Sequence, residues 1–326
     1  MTKSKKNLFL SSYKKKIKKI NILCIGDIIL DHYIYGKIHR ISPEAPVPIL
    51  LYESEKYELG GAGNVAKNIS SLGCQVNLLS LYGNDNSSKK LKNLEKANKN
   101  IKSLKVKINN YFVPTKVRFI NESDQKLRVD RETQNFKLTV IQKKLIIANV
   151  KKKITSTDLV VLSDYNKGTL DQDLARKIIN LAKKNKKIVV ADPKKINLSA
   201  YKNADIITPN QKELADAAGK NLSSEKELIR FSRKIIKKNN INNILITRSE
   251  KGMLLVNDKY VKKFKANVKN AIDVTGAGDT VVAVLSVMMA LGLDLDISVK
   301  ISNDAAGIVV KKKETANVSL KDLIYS

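Results

Sequence analysis

Tryptophan is absent from this 326-residue chain, and all aromatic residues together make up 5%. The ring platforms on which single-stranded nucleic acids stack are therefore scarce. Only two cysteines occur, Cys24 and Cys74, each isolated among apolar neighbours. That excludes a disulfide framework and a cysteine metal site, and both read as buried thiols. His32 and His39 have no neighbouring ligands with which to hold zinc. No run of about 18 apolar residues exists, so no stretch reads as a membrane-spanning helix. Residues 1–20 are rich in lysine but lack the apolar core of a secretory signal. The expectation is a cytoplasmic protein. Acidic residues are also in short supply, 31 against 61 basic ones, for a formal net charge of +30. The cations are mostly lysines spread along the whole chain, and no helix-turn-helix, zinc-finger or RNA-recognition pattern accompanies them. They read as a solvated surface rather than a specific nucleic-acid site, with nonspecific adhesion to polyanions at low salt. Residues 1–20 read as a flexible basic tail, able to touch an acidic membrane surface.

The hydrophobic share of 43% and charged share of 28% are those of a globular chain with ample core. Asn21–Asp27 is an apolar run ending in Gly-Asp, which reads as a buried parallel strand presenting a carboxylate at its C-terminal end. Ligands bind along that edge in open α/β sheets, so Asp27 is either a ligand-binding group or a turn aspartate. Asp31–Gly36 and Val47–Tyr52 read as two short strands, kept from a sheet centre by Pro43, Pro46 and Pro48. With Tyr111–Ile120 and Gln125–Asp130 they suggest a small β lid, spanning about residues 31–58 and 110–131. Gly61-x-Gly63-x-x-Ala66 fits a dinucleotide fingerprint, with Asp85 downstream. The polar stretch Tyr52–Glu58 before it is unsuited to a central strand, however, so the glycines read instead as a close backbone approach to a small ligand.

From about Thr139 onward strands and helices alternate, as βαβ units of a mostly parallel sheet do. Several strands end in polar clusters: Ser163-Asp164-Tyr165, Ala191-Asp192-Pro193-Lys194, Thr208-Pro209-Asn210 and Thr247-Arg248-Ser249-Glu250. In a doubly wound sheet these ends lie along one rim. Asp273-Val-Thr-Gly-Ala-Gly-Asp-Thr280 follows, feeding an apolar run that stops at Gly292. A glycine turn opening a helix collects unpaired amides and dipole charge that suit an anion. Asp279 there is either a helix cap or a base that takes a proton from a hydroxyl attacking a phosphoryl group. Neither a P-loop nor a protein-kinase glycine loop is present.

These residues resemble the ribokinase-like sugar kinases. The likeness runs from Ile22 to Val318 through Gly26-Asp27, Gly60-Gly-Ala-Gly-Asn64, Asn210-Gln-Lys-Glu213 and Asp273–Asp279, in that family's order. Gly26–Tyr33, Arg40-Ile-Ser-Pro-Glu-Ala-Pro-Val-Pro48, Ser163–Gly168 and Thr247–Gly252 are most similar to the branch that phosphorylates D-glycero-β-D-manno-heptose 7-phosphate. The resemblance implies a ribokinase-like α/β fold, a doubly wound mostly parallel sheet with helices on both faces plus a β lid, over residues 21–326. It implies transfer from ATP, with Mg2+ and K+ as cations, to the sugar's anomeric O1, on the route to the activated heptose of lipopolysaccharide. It assigns Asp279 as catalytic base and the amides of Gly276, Ala277 and Gly278 as the anion hole. Asp27, Gly61 and Asn64 would hold the sugar. Asn210 and Glu213 would lie by the ATP phosphates and magnesium, with Ser249, Gly252 and Asn303 lining the nucleotide. Asp273 and Thr275 match monovalent-cation positions. Gly63 and Asn166 depart from the usual Ala at both places. Arg40, Lys116, Arg118 and Arg128, on the lid patches, are the cations from which the 7-phosphate would draw a partner. A homodimer paired lid to lid is expected, since it would cover the lid's strand edges. Some relatives carry a fused adenylyltransferase; with the sequence ending at Ser326, that activity is expected from another protein. The competing readings are a kinase of another sugar or nucleoside and, more remotely, a non-catalytic basic nucleotide- or nucleic-acid-binding protein.

Overall fold

The structure, a computed structural model, describes residues 10–122, 124–134, 136–194, 196–268, 271–312, 314 and 316–325. Its strands, in chain order, are β1 (Asn21–Gly26), β2 (Ile28–Ile41), β3 (Pro48–Gly61), β4 (Gln75–Tyr82), β5 (Ile101–Lys107), β6 (Thr115–Asn121) and β7 (Asp124–Arg131). They continue as β8 (Leu159–Asp164), β9 (Ile188–Pro193), β10 (Ile206–Ile207), β11 (Asn243–Thr247), β12 (Met253–Val256) and β13 (Val261–Phe264). The helices used below are α1 (Lys14–Ile17), α2 (Ala62–Ser71), α3 (Asn86–Lys96), α4 (Val140–Ile154), α5 (Gln172–Lys184), α6 (Gln211–Ala218), α7 (Glu225–Asn239), α8 (Ala277–Ala290) and α9 (Leu295–Val309).

One nine-stranded sheet runs β13-β12-β11-β10-β9-β8-β1-β4-β5, parallel except where β12 and β13 turn back. All six residues of β8 are buried, because helices cover both faces and leave no polar side for alternation. From β1 the chain first builds outward through β4 and β5, then returns to β8 on the other side and builds through β9. Strand order therefore reverses between β1 and β8, the place where an open α/β sheet leaves a crevice at its strand ends. Gly26, the last residue of β1, lies so close to β8 that a Cβ there would stand 1.9 Å from the Ser163 carbonyl oxygen. Helix α8 is buried from Asp279 to Met288, which explains an apolar run with no polar face.

The second sheet, β3-β2-β6-β7, is the lid. Two short strands were expected in its first half. Instead β2 and β3 are 14 residues each and pair from Ile28↔Gly61 out to Ile41↔Pro48. Tyr52–Glu58, too polar for a central strand, is accommodated because β3 is an edge with half of its residues exposed. The flexible basic tail also needs correction over residues 10–20. Leu10 and Ile17 are fully buried and Ile20 nearly so, packed against the main core through the turn of α1. Residues 1–9 lie outside the described residues. Cys24 and Cys74 are buried free thiols, as expected, and among the described residues no helix is long and apolar enough to cross a membrane.

Candidate active site

Everything that converges on the crevice comes from strand ends or helix starts. Asp279 sits in the first turn of α8, 6% exposed. Gly276 before it is in the left-handed region at φ 76°, which a side chain would strain. The Ala277 amide, expected in the anion hole with Gly276 and Gly278, is taken by the Val274 carbonyl at 3.2 Å. The amides of Gly276, Gly278 and Asp279 have no acceptor among the described residues, so these three, and not Ala277, are open to an anion.

The Asp279 carboxylate is gripped from two walls. Asn64 Nδ2, on α2, donates to Oδ2 at 2.7 Å, and the Tyr165 hydroxyl, just past β8, donates to Oδ1 at 2.5 Å. Burial pushes the Asp279 carboxyl up to about 7; the Tyr165 and Asn64 donors pull it down, Asp192 pushes it up and Lys194 lowers it. A carboxylate poised there suits proton abstraction near neutral pH. Asn64 is itself fixed, its Oδ1 accepting Asn68 Nδ2 at 3.2 Å, and Asn68 Oδ1 in turn accepts the Thr280 hydroxyl at 3.2 Å.

Asp27, expected as a sugar ligand, is fully buried and already engaged. Its Oδ2 accepts the amides of Tyr165 (2.9 Å) and Lys167 (3.0 Å), and its Oδ1 that of Thr169 (2.8 Å). It pins the loop after β8, where Asn166 adopts φ 57°, a conformation Asn tolerates better than Ala. Gly61 permits a close approach of protein to itself. A Cβ there would be 2.4 Å from the Asp27 carbonyl oxygen, and one on Gly60 would be 2.3 Å from Asp31 Oδ2. Asp31, at the base of the lid, accepts Arg118 Nη1 at 2.6 Å, with the guanidinium over the Tyr33 ring.

Beside Asp279 lies a cavity of about 500 Å³. Gly276, Ala277, Gly278, Asn210, Glu213, Ser249, Gly252 and Asn303 all line it, together with Tyr165, Asp192 and Lys194. Asn210 and Glu213 form a capping box on α6, with Glu213 Oε2 on the Asn210 amide (2.8 Å) and Asn210 Oδ1 on the Glu213 amide (2.8 Å). Glu213 Oε1 is left to Lys194 Nζ at 2.8 Å, which also reaches Asp192 Oδ2 at 3.3 Å. Asn303 Nδ2 donates to the Lys265 carbonyl (2.7 Å), and Gly252, at φ 77°, avoids the Phe264 carbonyl that a Cβ would meet at 2.0 Å. Asp273 shapes the turn, its oxygens each accepting one amide, of Thr275 (2.8 Å) and Glu314 (2.9 Å). The Glu314 carboxylate takes the Tyr35 hydroxyl and Lys56 Nζ, which ties the lid to that turn. Tyr165, Asp192, Lys194 and Asp31 were assigned no role from sequence. The first three stood in the strand-end clusters, which was the signal available.

Residues 19–322 match the profile described as pfkB family carbohydrate kinase. The chain is 39% identical over 306 residues to the "Bifunctional protein HldE" of Rhodopseudomonas palustris strain BisA53, and 40% identical over 308 residues to that of Aliarcobacter butzleri. These alignments take in 93% and 94% of this chain but 62% and 64% of the relatives, so the chain spans under two thirds of their length. Among solved structures, phosphofructokinase-2 from Escherichia coli in complex with potassium superposes with a TM-score of 0.78 at 20% identity, covering 94% of this chain and 97% of that one. Arabidopsis thaliana ribokinase complexed with ribose and ATP gives 0.72 at 16%, covering 94% and 97%. The two structures share the ribokinase-like fold. With the profile spanning nearly the whole sequence, the chain belongs to the pfkB family of carbohydrate kinases.

Proposed function

We propose that this chain transfers the terminal phosphoryl group of ATP to the anomeric O1 of D-glycero-β-D-manno-heptose 7-phosphate, giving heptose 1,7-bisphosphate. The observation that carries the reading is Asp279: a buried carboxylate near neutrality, among three open amides at a helix start, on the wall of a nucleotide-sized cavity. The choice of sugar rests on the Arg40–Pro48 stretch and on the HldE-named relatives.

Asp279 takes the O1 proton as O1 attacks phosphorus, while the amides of Gly276, Gly278 and Asp279 and the α8 dipole meet the charge on the transferring group. Lys194 adds a cation on the same wall. Glu213, Asn210, Ser249, Gly252 and Asn303 form the nucleotide side. Asp192 and Glu213 are the carboxylates on this wall that would hold magnesium together with the phosphates, since among the described residues no three carboxylate, histidine or cysteine groups could hold a metal by themselves. Bound there it would neutralise phosphate charge. Potassium would use the remaining lone pairs of Asp273 and the neighbourhood of Thr275. Asn64 acts through Asp279, and Asp31 replaces Asp27 as the acidic group for the sugar. For the 7-phosphate, Arg128 is half exposed on the lid and, among the described residues, paired only with the exposed side of Asp130, whereas Arg118 is buried against Asp31.

The test is ADP release with a panel of acceptors, with and without magnesium and potassium. Heptose 7-phosphate is expected to exceed fructose 6-phosphate and ribose in kcat/KM by at least about 100-fold, with Arg128→Ala raising KM for the heptose phosphate alone. Equal rates across the panel would sink the substrate assignment, and an unchanged KM would remove Arg128.

A homodimer joined through the lids is part of the same reading. Val117↔Val129 and Phe119↔Leu127 pair in register on one lid face, leaving Leu127 56% and Val129 46% exposed. Such an apolar face suits a second copy. Light scattering at micromolar concentration should give twice the chain mass, and a lower mass for Leu127→Lys; a monomeric wild type would contradict it.

A further inference from the structure

Asp279 does not reach into the crevice alone: a loop fixed at three points delivers a hydroxyl to it. We propose that Tyr165 is a positioning residue for the base, its hydroxyl setting the orientation of the Asp279 carboxylate and holding it in the ionised form that accepts the sugar's proton. The inference rests on the reading of Asp279 as the base.

The delivery is rigid. Asp27 binds the amides of Tyr165, Lys167 and Thr169, and the Asn166 amide donates to Asp164 Oδ1 at 2.9 Å. The loop therefore cannot slide without releasing several bonds to buried carboxylates. The Tyr165 ring carries the Lys194 ammonium 5.5 Å from its centroid, and its hydroxyl meets Asp279 Oδ1 while Asn64 Nδ2 meets Oδ2. One donor per oxygen, from opposite walls, fixes the carboxylate plane and leaves each oxygen a further lone pair for an incoming hydroxyl.

Tyr165 cannot compete with Asp279 as the proton acceptor. Burial, and then the Asp279 and Asp192 charges, push its own hydroxyl well above the ordinary tyrosine value, so it stays a donor. A donor to a carboxylate favours the anion. The other groups acting on Asp279 are Lys194, which lowers its pKa, and Asp192, which raises it. The Cys24 thiol, behind it on β1, stays neutral because burial and then the Asp279 charge push it up. Glu213 acts at one remove, through Lys194. With those unchanged, loss of the Tyr165 hydroxyl moves the Asp279 midpoint upward, and activity that needs the ionised base is lost from the acid side first.

The test is Tyr165→Phe in the full chain, read in two ways. One is the pH profile of kcat/KM; the other is the carboxyl carbon titration of Asp279 in the ligand-free protein labelled with 13C-aspartate, assigned by its loss in Asp279→Asn. Both midpoints are expected to rise by about one unit or more, the equivalent of one charge-assisted hydrogen bond. Activity should then fall about tenfold below the midpoint and recover toward that of the wild type at alkaline pH. Unmoved midpoints, or a loss of equal size at every pH, would overturn the proposal; if the phenylalanine protein misfolds, 3-fluorotyrosine at position 165, a stronger donor of nearly the same shape, must instead lower both midpoints. A shifted carbon midpoint in a protein that phosphorylates no sugar would leave this linkage standing and remove the proposed function. An active kinase whose midpoints do not move would do the reverse.

Discussion

Asp279→Asn is expected to lower turnover by about 10³-fold, with the dissociation constant for ATP kept within a few-fold. The substitution preserves shape and removes only the ability to hold a proton taken from the sugar. The cavity that would hold the nucleotide is lined mostly by other elements, from the end of β9 to α9, so binding should survive. The same change should strengthen the fold at alkaline pH. Asp279 is raised from 3.8 to about 7 in the folded protein, so folding favours its protonated form. That contribution is complete below about pH 4 and is lost as pH rises through about 7. At pH 8 the Asn protein should be the more stable, by an upper bound on the order of 4 kcal/mol, with a smaller gap at pH 5. Stopped-flow turnover, equilibrium ATP binding and denaturant melts at both pH values check the three parts. A variant with more than a tenth of wild-type turnover would remove Asp279 as the base.

Asp27→Asn should damage the fold more than any other single polar change here. Three backbone amides converge on the Asp27 carboxylate, which has no solvent contact. An Asn side chain offers one acceptor oxygen, and its amide nitrogen would face at least one N–H. Losing charge-assisted bonds and stranding a buried donor together should cost about 3 kcal/mol or more. Because the same loop carries Tyr165 to Asp279, turnover should fall as well, whereas ATP binding at the other end of the cavity should change little. Urea melts give the first part. A midpoint equal to that of the wild type would show that Asp27 is not the anchor of this loop.

The βαβ succession after Thr139 was legible because each strand is a short apolar run and each helix opens on a recognisable cap, such as Thr139 on α4, Asp171 on α5 and Ser224 on α7. The Asp279 turn was legible for the same local reason. β4, α3 and β5 leave a weaker trace, since Asn77 and Ser80 interrupt the apolar residues of Val76–Leu81 and α3 and the edge strand β5 are so rich in lysine that their periodicity is faint. At the N-terminus Leu10, Tyr13, Ile17 and Ile20 carry a helical spacing, but the surrounding lysines made it look like a tail. That Asp27 anchors the loop after β8 while Asp31 pairs with Arg118 was not readable. It depends on which carboxylate the loop after β8 closes upon, and that partnership spans 138 residues at Tyr165. The pairing of Tyr165 with Asp279 is likewise a product of the fold, since β8 and α8 meet only in three dimensions.

The proposed reaction moves ATP's terminal phosphoryl group to the anomeric oxygen of a heptose 7-phosphate. Phosphorus NMR of the purified protein with magnesium, ATP and the β-anomer of that sugar reads the outcome directly. A new phosphomonoester signal coupled to the anomeric proton, growing in step with ADP, is expected. Release of inorganic phosphate alone, or a new phosphate on any other hydroxyl, would contradict the proposed reaction.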